Sequence, residues 1–449
     1  MKAPICEFIN EYNEKSYVRM HMPGHKGKSL LGYEKNDITE IFGADSLYQA
    51  SGIIKESEQN ASELFGSGAT FYSCEGSSLS VRAMCYLAKA YALSLGKKEG
   101  ELYALSTKNA HSSFVSAAVL LDFKIKWLNG SASSYLNGKI SACELEKSLT
   151  CVDNLPFMVY VTSPDYLGNT CDIKSLSEVC KRYGVPLIVD NAHGAYLRFL
   201  ENDLHPITNG ATVCCDSAHK TLPALTGGAY LHVSKDAPAF FKENAKKALS
   251  LFGSSSPSYL ILASLDNLNL YLNNNYSKRL SSFIKIVDSL KESLTKNGYS
   301  LTGNEPLKIT VEAKKYGYLG TELHDILYKE NIACEFCDPD YLVMMLTPEH
   351  SQDELSRLES VLLSIPKKEA ILDTPPTIFA CETVYSPKEA SFMPAEEIDI
   401  DNAKERVLSF STVSCPPAVS VIIAGERFNE STVQLCKYYG INKCHVIKE

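Results

Sequence analysis

A chain of 449 residues is long enough for one large domain with a substantial core and one or two smaller ones. Hydrophobic residues make up 45% and charged residues 22%, a globular balance, and the net charge of −9 argues against nucleic acid or an anionic membrane as the main partner. No apolar run approaches the roughly 20 residues of a membrane helix, and the charged start "MKAPICEFINEYNEKSYVRM" lacks the apolar centre of a signal peptide, so the cytoplasm is the expected location.

In chain order, the first forty-odd residues form a Gly-rich, polar lead-in containing "HMPGHKG" (His21 to Gly27). "GIIKESEQNASELFG" then carries helical spacing, and "ATFYSCEGSSLSVRAMCYLAKAYAL" reads as strand, Gly-Ser turn and helix. Short apolar runs alternate with helical stretches from there: "ELYALST", "FMVYVTSP", "VPLIVDNAHG" and "ATVCCDSAHK". That alternation predicts βαβ units and an α/β fold with a mostly parallel sheet covered by helices. The polar helical stretch from Ala263 to Gly298 reads as a long connector, and "LKITVEA", "IACEFCDPDYLVMML" and "SQDELSRLESVLLSI" suggest a smaller α+β region after it. A Pro-rich break at "DTPPTIFA" precedes a last unit. The divisions expected are an N-terminal segment (1–45), a large domain (46–270), a small α+β domain (271–370) and a C-terminal domain (371–449).

Fifteen cysteines are scattered along the chain, which suits free, mostly buried thiols. "CEFC" (Cys334 and Cys337) has the spacing of half a zinc site, but no second pair stands nearby, so no metal is expected.

In an open parallel sheet, ligands gather at the carboxyl ends of strands. Five apolar runs here end in polar residues. "ATFYSC" leads to Gly76, Ser77 and Ser78; "ELYALST" leads to His111; "FMVYVT" ends on Thr162; "VPLIVD" ends on Asp190, with His193 beyond; "ATVCC" leads to Ser217, His219 and Lys220. Each has a plain structural reading: a helix cap for the serines, a turn for Asp190, a core histidine for His111, a surface lysine for Lys220. Each also has a chemical one. Hydroxyls at a helix start cradle phosphate, a buried carboxylate pairs with a cationic ring nitrogen, and a desolvated lysine attacks a carbonyl. Cradle, carboxylate and lysine together are the three fixtures of pyridoxal phosphate. Their order, with Lys220 thirty residues after Asp190, points to the aspartate-aminotransferase-like fold.

Four separated motifs, "HMPGHKG", "DNAHG" (Asp190 to Gly194), "DSAHKTLPALTGGAYLHV" and "SSSPSYLILASLD" (Ser254 to Asp266), resemble the Orn/Lys/Arg decarboxylases, fold-type-I pyridoxal phosphate enzymes. "FMPAEE" and "CPPAVSVIIAGE" resemble the last domain of that family, and the chain is similar to its short, Gram-positive type. The resemblance implies that Lys220 binds the cofactor covalently, Asp190 pairs with its ring nitrogen and His111 stacks on its ring. Ser77, Ser78, Ser217 and His219 would hold the phosphate and His193 would lie beside the ring, with Gly76 and Thr162 completing the expected cofactor-binding set. Ser255 would reach the phosphate of a neighbouring subunit, which implies a homodimer or larger homo-oligomer with shared sites. Lys220, His111 and Asp190 are the expected catalytic residues.

The implied reaction is decarboxylation of a basic amino acid, arginine or lysine before ornithine, giving carbon dioxide and a polyamine precursor. An aminotransferase or lyase on the same fold, or a non-catalytic cofactor-binding regulator, is the alternative. Four positions depart from the family's pattern: Glu75 where Asn is usual, Asn191 where Glu is frequent, Gly227 where Gln is usual, and "CPPA" (Cys415 to Ala418) for "YPPG". A carboxylate at Glu75 would repel a phosphate unless it points away.

Overall fold

The computed structural model describes residues 1–128, 134–411 and 417–449. Helices α1 (Pro4–Glu14) and α2 (Ile53–Phe65) open the chain. Strand β1 (Ala69–Ser73) and helix α3 (Gly76–Ser94) follow, then β2 (Tyr103–Ser106), α4 (Ser112–Leu121), β3 (Lys124–Trp127), α5 (Ala142–Thr150) and β4 (Met158–Thr162). Next come α6 (Ile173–Arg182), β5 (Leu187–Asp190), β6 (Val213–Asp216), the one-turn α7 (Ala218–Thr221) and β7 (Ala229–Val233). These seven strands form one sheet in the order β1-β7-β6-β5-β4-β2-β3. The pairs β5–β6 and β2–β3 are parallel, and β7 runs antiparallel to both its neighbours. Every residue of β5, β6 and β7 is buried, as expected of apolar runs covered on both faces.

Residues 1–98, 157–160 and 173–279 make one compact unit, and 99–156, 161–172 and 280–449 a second. The units interleave along the chain, and the division passes through β4. Unit 1 contains β1, β5, β6, β7 and the helices α1 to α3, α6 and α7, with α8 (Ala239–Ser250) and α9 (Tyr259–Asn273). Helix α3 buries Leu79, Val81, Met84, Cys85, Leu87 and Ala88. The connector read as one stretch is two helices. Asn274 ends α9, Asn275 adopts a left-handed φ of 59°, and α10 (Tyr276–Lys296) starts again. Asparagine tolerates that conformation better than other side chains with a Cβ.

Among its described residues, unit 2 has three small antiparallel sheets. One contains β8 (Leu301–Thr302), β9 (Lys308–Glu312), β10 (Phe336–Cys337) and β11 (Tyr341–Met345), flanked by α11 (Gly320–Lys329) and α12 (Gln352–Ser364). The others pair β12 (Glu382–Thr383) with β15 (Glu426–Arg427), and β13 (Ala395–Asp399) and β14 (Leu408–Phe410) with β16 (Lys443–Ile447). Helices α13 (Pro387–Phe392) and α14 (Glu430–Tyr438) complete it. Ile400, Leu408, Phe428, Val433, Leu435 and Val446 form the core of this C-terminal part. The described cysteines are free, and burial pushes the Cys334 thiol up to about 12, as suits an inert side chain.

Candidate active site

The site is built where β5 and β6 end side by side. Ile188, Val189 and Asp190 pair in parallel register with Val213, Cys214 and Cys215. Beyond the strands the chain turns. After β5 it carries Asn191 to His193, and after β6 it enters α7 through Ser217, an extended residue at the N-cap position. Helix α7 is a single turn, so His219 and Lys220 stay close to the sheet edge. Lys220 Nζ lies 3.2 Å from His193 Nε2, which joins the two strand ends through their most reactive groups.

Asp190 is buried at 3% exposure. Its Oδ2 accepts the Tyr160 hydroxyl at 3.0 Å, and its Oδ1 accepts the Ala192 N–H at 3.1 Å and faces the Cys215 thiol at 3.6 Å. These donors are neutral, so the carboxylate keeps the capacity to meet a cation.

One position further, the side chains point to the opposite face, because strand residues alternate. There Asp216 is fully buried and takes three donors: His205 Nε2 at 2.9 Å, His232 Nε2 at 3.0 Å and Asn191 Nδ2 at 2.7 Å. Burial alone would raise its pKa, but the two histidines overcome that and hold it well below the usual carboxylate range. His205, Asp216 and His232 are the one group of three metal-ligating side chains found among the described residues. The Ile207 N–H donates to His205 Nδ1 at 3.3 Å, so the His205 proton resides on Nε2, directed at Asp216. His232 Nδ1 is engaged by Thr70 Oγ1 at 2.8 Å. The ring nitrogens are committed to hydrogen bonds, and the cluster is a buried hub rather than an open ligand set. It also explains Asn191: a glutamate there would bring a second carboxylate against Asp216.

Two departures at the cradle have equally local causes. Ser77 Oγ and Ser217 Oγ lie 2.9 Å apart, so hydroxyls from α3 and α7 meet. Glu75, exposed at the start of α3, accepts the Ser254 N–H at 2.6 Å, so its carboxylate is engaged with the "SSSP" segment. Gly227 adopts a φ of 97°, and a Cβ there would fall 2.8 Å from the Cys74 carbonyl oxygen and 3.0 Å from Ile261 Cδ1. Its own carbonyl accepts the Gly76 N–H at 2.8 Å. Glutamine would have to be strained into that place. The Gly76 donor is therefore committed, and Gly76 contributes its φ of 71° to the turn into α3. His219 Nδ1 is bonded to the Gly228 carbonyl at 3.0 Å; burial is the main cause that pulls its pKa down, and Lys220 adds to it. Ser78 stands in the first turn of α3, and Ser255 is exposed beside the Glu75 contact.

Unit 2 holds the two remaining residues. His111 caps α4: its Nδ1 accepts the Ser113 N–H at 3.1 Å, and His111 bridges Val419. The Ser112 N–H donates to Ala418 O at 2.8 Å, so Ala418 and Val419 tie the C-terminal region to this cap. Cys415 and Pro416 of "CPPA" lie outside the described residues. Thr162 closes β4, and its hydroxyl oxygen is buried without a hydrogen-bond partner among the described residues.

Residues 3–310 match the model of the Orn/Lys/Arg decarboxylase major domain, and residues 376–444 match that family's C-terminal domain. The chain belongs to the Orn/Lys/Arg decarboxylase family. It is accordingly a pyridoxal phosphate-dependent carboxy-lyase acting on a small amino acid. Among relatives, it is 28% identical to the uncharacterized protein YaaO of Bacillus subtilis, over 99% of this chain and 96% of that one. It is 24% identical to an arginine decarboxylase of the same organism, over 96% and 92%. In fold it is similar to the lysine decarboxylase LdcF of Francisella novicida (TM-score 0.81, 16% identity, covering 100% of this chain and 81% of that one). Lysine decarboxylase A of Pseudomonas aeruginosa is similar too (TM-score 0.80, 16% identity, 99% and 80%).

The residues of unit 1 fit the decarboxylase cofactor. A buried carboxylate whose donors among the described residues are neutral suits a ring nitrogen, paired serine hydroxyls at a helix start suit a phosphate, and a half-buried lysine on a one-turn helix suits an aldehyde. Sequence reasoning did not find Tyr160, Asp216, His205 or His232. Each touches its partner across at least eleven residues of chain, and no motif announces the contact.

Proposed function

We propose that this decarboxylase removes the α-carboxylate of arginine or lysine, ahead of ornithine, as carbon dioxide, and so makes a polyamine precursor. Relatives named arginine decarboxylase and similar folds named lysine decarboxylase support this substrate class. The observation that carries the reading is the pairing of Lys220 with His193 at 3.2 Å, beside a buried Asp190 on the adjoining strand.

The cofactor, when bound, supplies a carbonyl for the substrate amine and a ring that takes up the electron pair left by carbon dioxide. The chain does the rest. Lys220 must be neutral to act as a nucleophile, and His193 Nε2 is placed to take its proton and return it. Asp190 would hold a proton on the ring nitrogen, which strengthens the electron sink. Ser77, Ser78, Ser217 and His219 would hold the phosphate, and Gly76 turns the chain into that cradle. His111, its imidazole tethered to Ser113, would stack on the ring, and Thr162 would complete the cofactor contacts. Lys220, His111 and Asp190 are the catalytic residues in this reading.

A homodimer is the proposed assembly, with Ser255 reaching the neighbouring site. Val18, Met20, Leu30 and Phe42 of the N-terminal segment, all strongly exposed apolar side chains, support a partner copy. The large domain (46–270) would hold the cofactor, and 1–45, 271–370 and 371–449 remain the other proposed divisions of the chain. A cytoplasmic location accords with this metabolism; no helix among the described residues is long and apolar enough to cross a membrane.

The test is carbon dioxide release from arginine, lysine and ornithine by the cofactor-loaded protein. Turnover of arginine or lysine well above ornithine is expected. Release from none of the three overturns the substrate class.

A further inference from the structure

Strand β4 reads "MVYVT", and its central tyrosine is fully buried. A buried hydroxyl in an apolar strand is costly unless it is bonded. Tyr160 meets that demand by donating to Asp190 Oδ2 at 3.0 Å. Burial first, and the Asp190 charge next, push the phenol far above its ordinary range, so it remains a donor at any working pH. On the other oxygen the Ala192 N–H and the Cys215 thiol complete the set. Among the described residues, three neutral donors thus surround one carboxylate, and the phenol is the stronger of the two side-chain donors.

We propose that Tyr160 is a positioning residue for the decarboxylation. It fixes the rotation of the Asp190 carboxylate and draws off part of its charge, and so sets how firmly Asp190 holds a proton on the cofactor ring. The inference rests on the reading that Asp190 faces the ring nitrogen. A hydrogen bond to the charged form of an acid lowers its basicity. Without the phenol, the Asp190 carboxylate loses a donor, keeps more of its charge for the ring and is less fixed in rotation. The bound cofactor should then hold its protons to higher pH, while turnover falls because the carboxylate is no longer aimed.

Tyr160→Phe tests this, read against Tyr72→Phe. Tyr72 is equally buried in the same unit, but its hydroxyl is bonded to Ser57 and Asn269 and not to Asp190. The measurements are the pH midpoint of the bound cofactor's visible absorbance, kcat and KM. For Tyr160→Phe the midpoint should rise by about half a pH unit or more, and kcat should fall roughly tenfold with KM within about twofold. Tyr72→Phe should lose similar thermal stability and leave all three readings at the wild-type value. Cys215→Ser replaces the weak thiol donor by a stronger hydroxyl on the other oxygen and should move the midpoint the opposite way. It keeps the inference open to refutation should Tyr160→Phe fold poorly. Midpoints unchanged in both Asp190-facing variants, or a Tyr160→Phe phenotype equal to that of Tyr72→Phe, overturn the inference. A wild-type protein that takes up no pyridoxal phosphate overturns the underlying reading as well, and is distinguished by the absence of any absorbance to titrate.

Discussion

Two buried aspartates stand one register position apart at the ends of neighbouring strands, and they have opposite surroundings. Asp216 is saturated by two imidazoles and an amide on one face of the sheet. Asp190, on the other face, has a phenol, a backbone N–H and a distant thiol. Both are buried carboxylates, so burial alone does not mark a functional acid. Partners do: a saturated carboxylate holds the fold, and one supplied only with neutral donors still has attraction left for a cationic ligand.

An amide at one aspartate and a truncation at the other separate the two most directly. Asp190→Asn should lower turnover by roughly 10²–10³-fold while melting near the wild-type temperature, since one charged contact to the reacting system is lost. Asp216→Ala should do the reverse. It leaves two histidines and Asn191 without their acceptor, at a cost of about 3–5 kcal/mol in urea unfolding. Turnover per cofactor-loaded molecule should stay within about threefold. Equal effects of the two variants on both readouts would erase the distinction.

Gly227→Gln is next in size. The crowding against the Cys74 carbonyl and the positive φ should cost about 1–3 kcal/mol and disturb the Gly76 contact. Thermal melting and cofactor affinity should both fall; a variant as stable as wild type would refute the steric account of that departure.

Titration sharpens the comparison by sign. His232 is held below its ordinary value, chiefly by burial, and Asp216 is held below its own by the histidines. As pH falls below about 6.5, the unfolded chain takes up protons that folded His232 refuses, and below about 3.8 the same holds for Asp216. Their stabilisation is complete above those values and is lost on acidification. Asp338, in unit 2, behaves in the opposite sense. Burial pushes its pKa from 3.8 up to about 7, even though it accepts the Asp340 and Tyr341 N–H groups at 2.8 and 2.7 Å. Folded Asp338 keeps a proton that the unfolded chain releases, so its penalty appears as pH rises through that window. Asp338→Asn should therefore stabilise the protein by on the order of 2 kcal/mol at pH 8 and by almost nothing at pH 4. Urea melts at the two pH values check it.

Glu75→Ala carries the smallest expected effect. Loss of the Ser254 contact should speed proteolysis within Ser254–Ser256, with cofactor affinity within about twofold of wild type. A large gain in affinity would mean that the carboxylate repels the phosphate after all.

What the sequence made legible was local. Apolar runs ending in Asp190 and in Ser217–Lys220 named their strands and their chemistry together, because a strand end and its next turn are adjacent in the chain. The partners of those residues were illegible for the same reason. Tyr160 reaches Asp190 from another strand, and the Asp216 hub draws on three separate segments. The departures at Asn191 and Gly227 raised doubt as isolated letters, and their causes were visible only once Asp216 and the Cys74 carbonyl stood beside them. The break at Asn274 and Asn275 was concealed by helix spacing that continues on both sides of it.

Everything proposed for the site depends on Lys220 being the residue that takes the cofactor. Borohydride reduction of the pyridoxal phosphate-loaded protein, followed by peptide mapping, tests it directly. One modified peptide is expected, containing Lys220, and it should disappear in Lys220→Ala. Modification at another lysine, or undiminished fixation in Lys220→Ala, would contradict it.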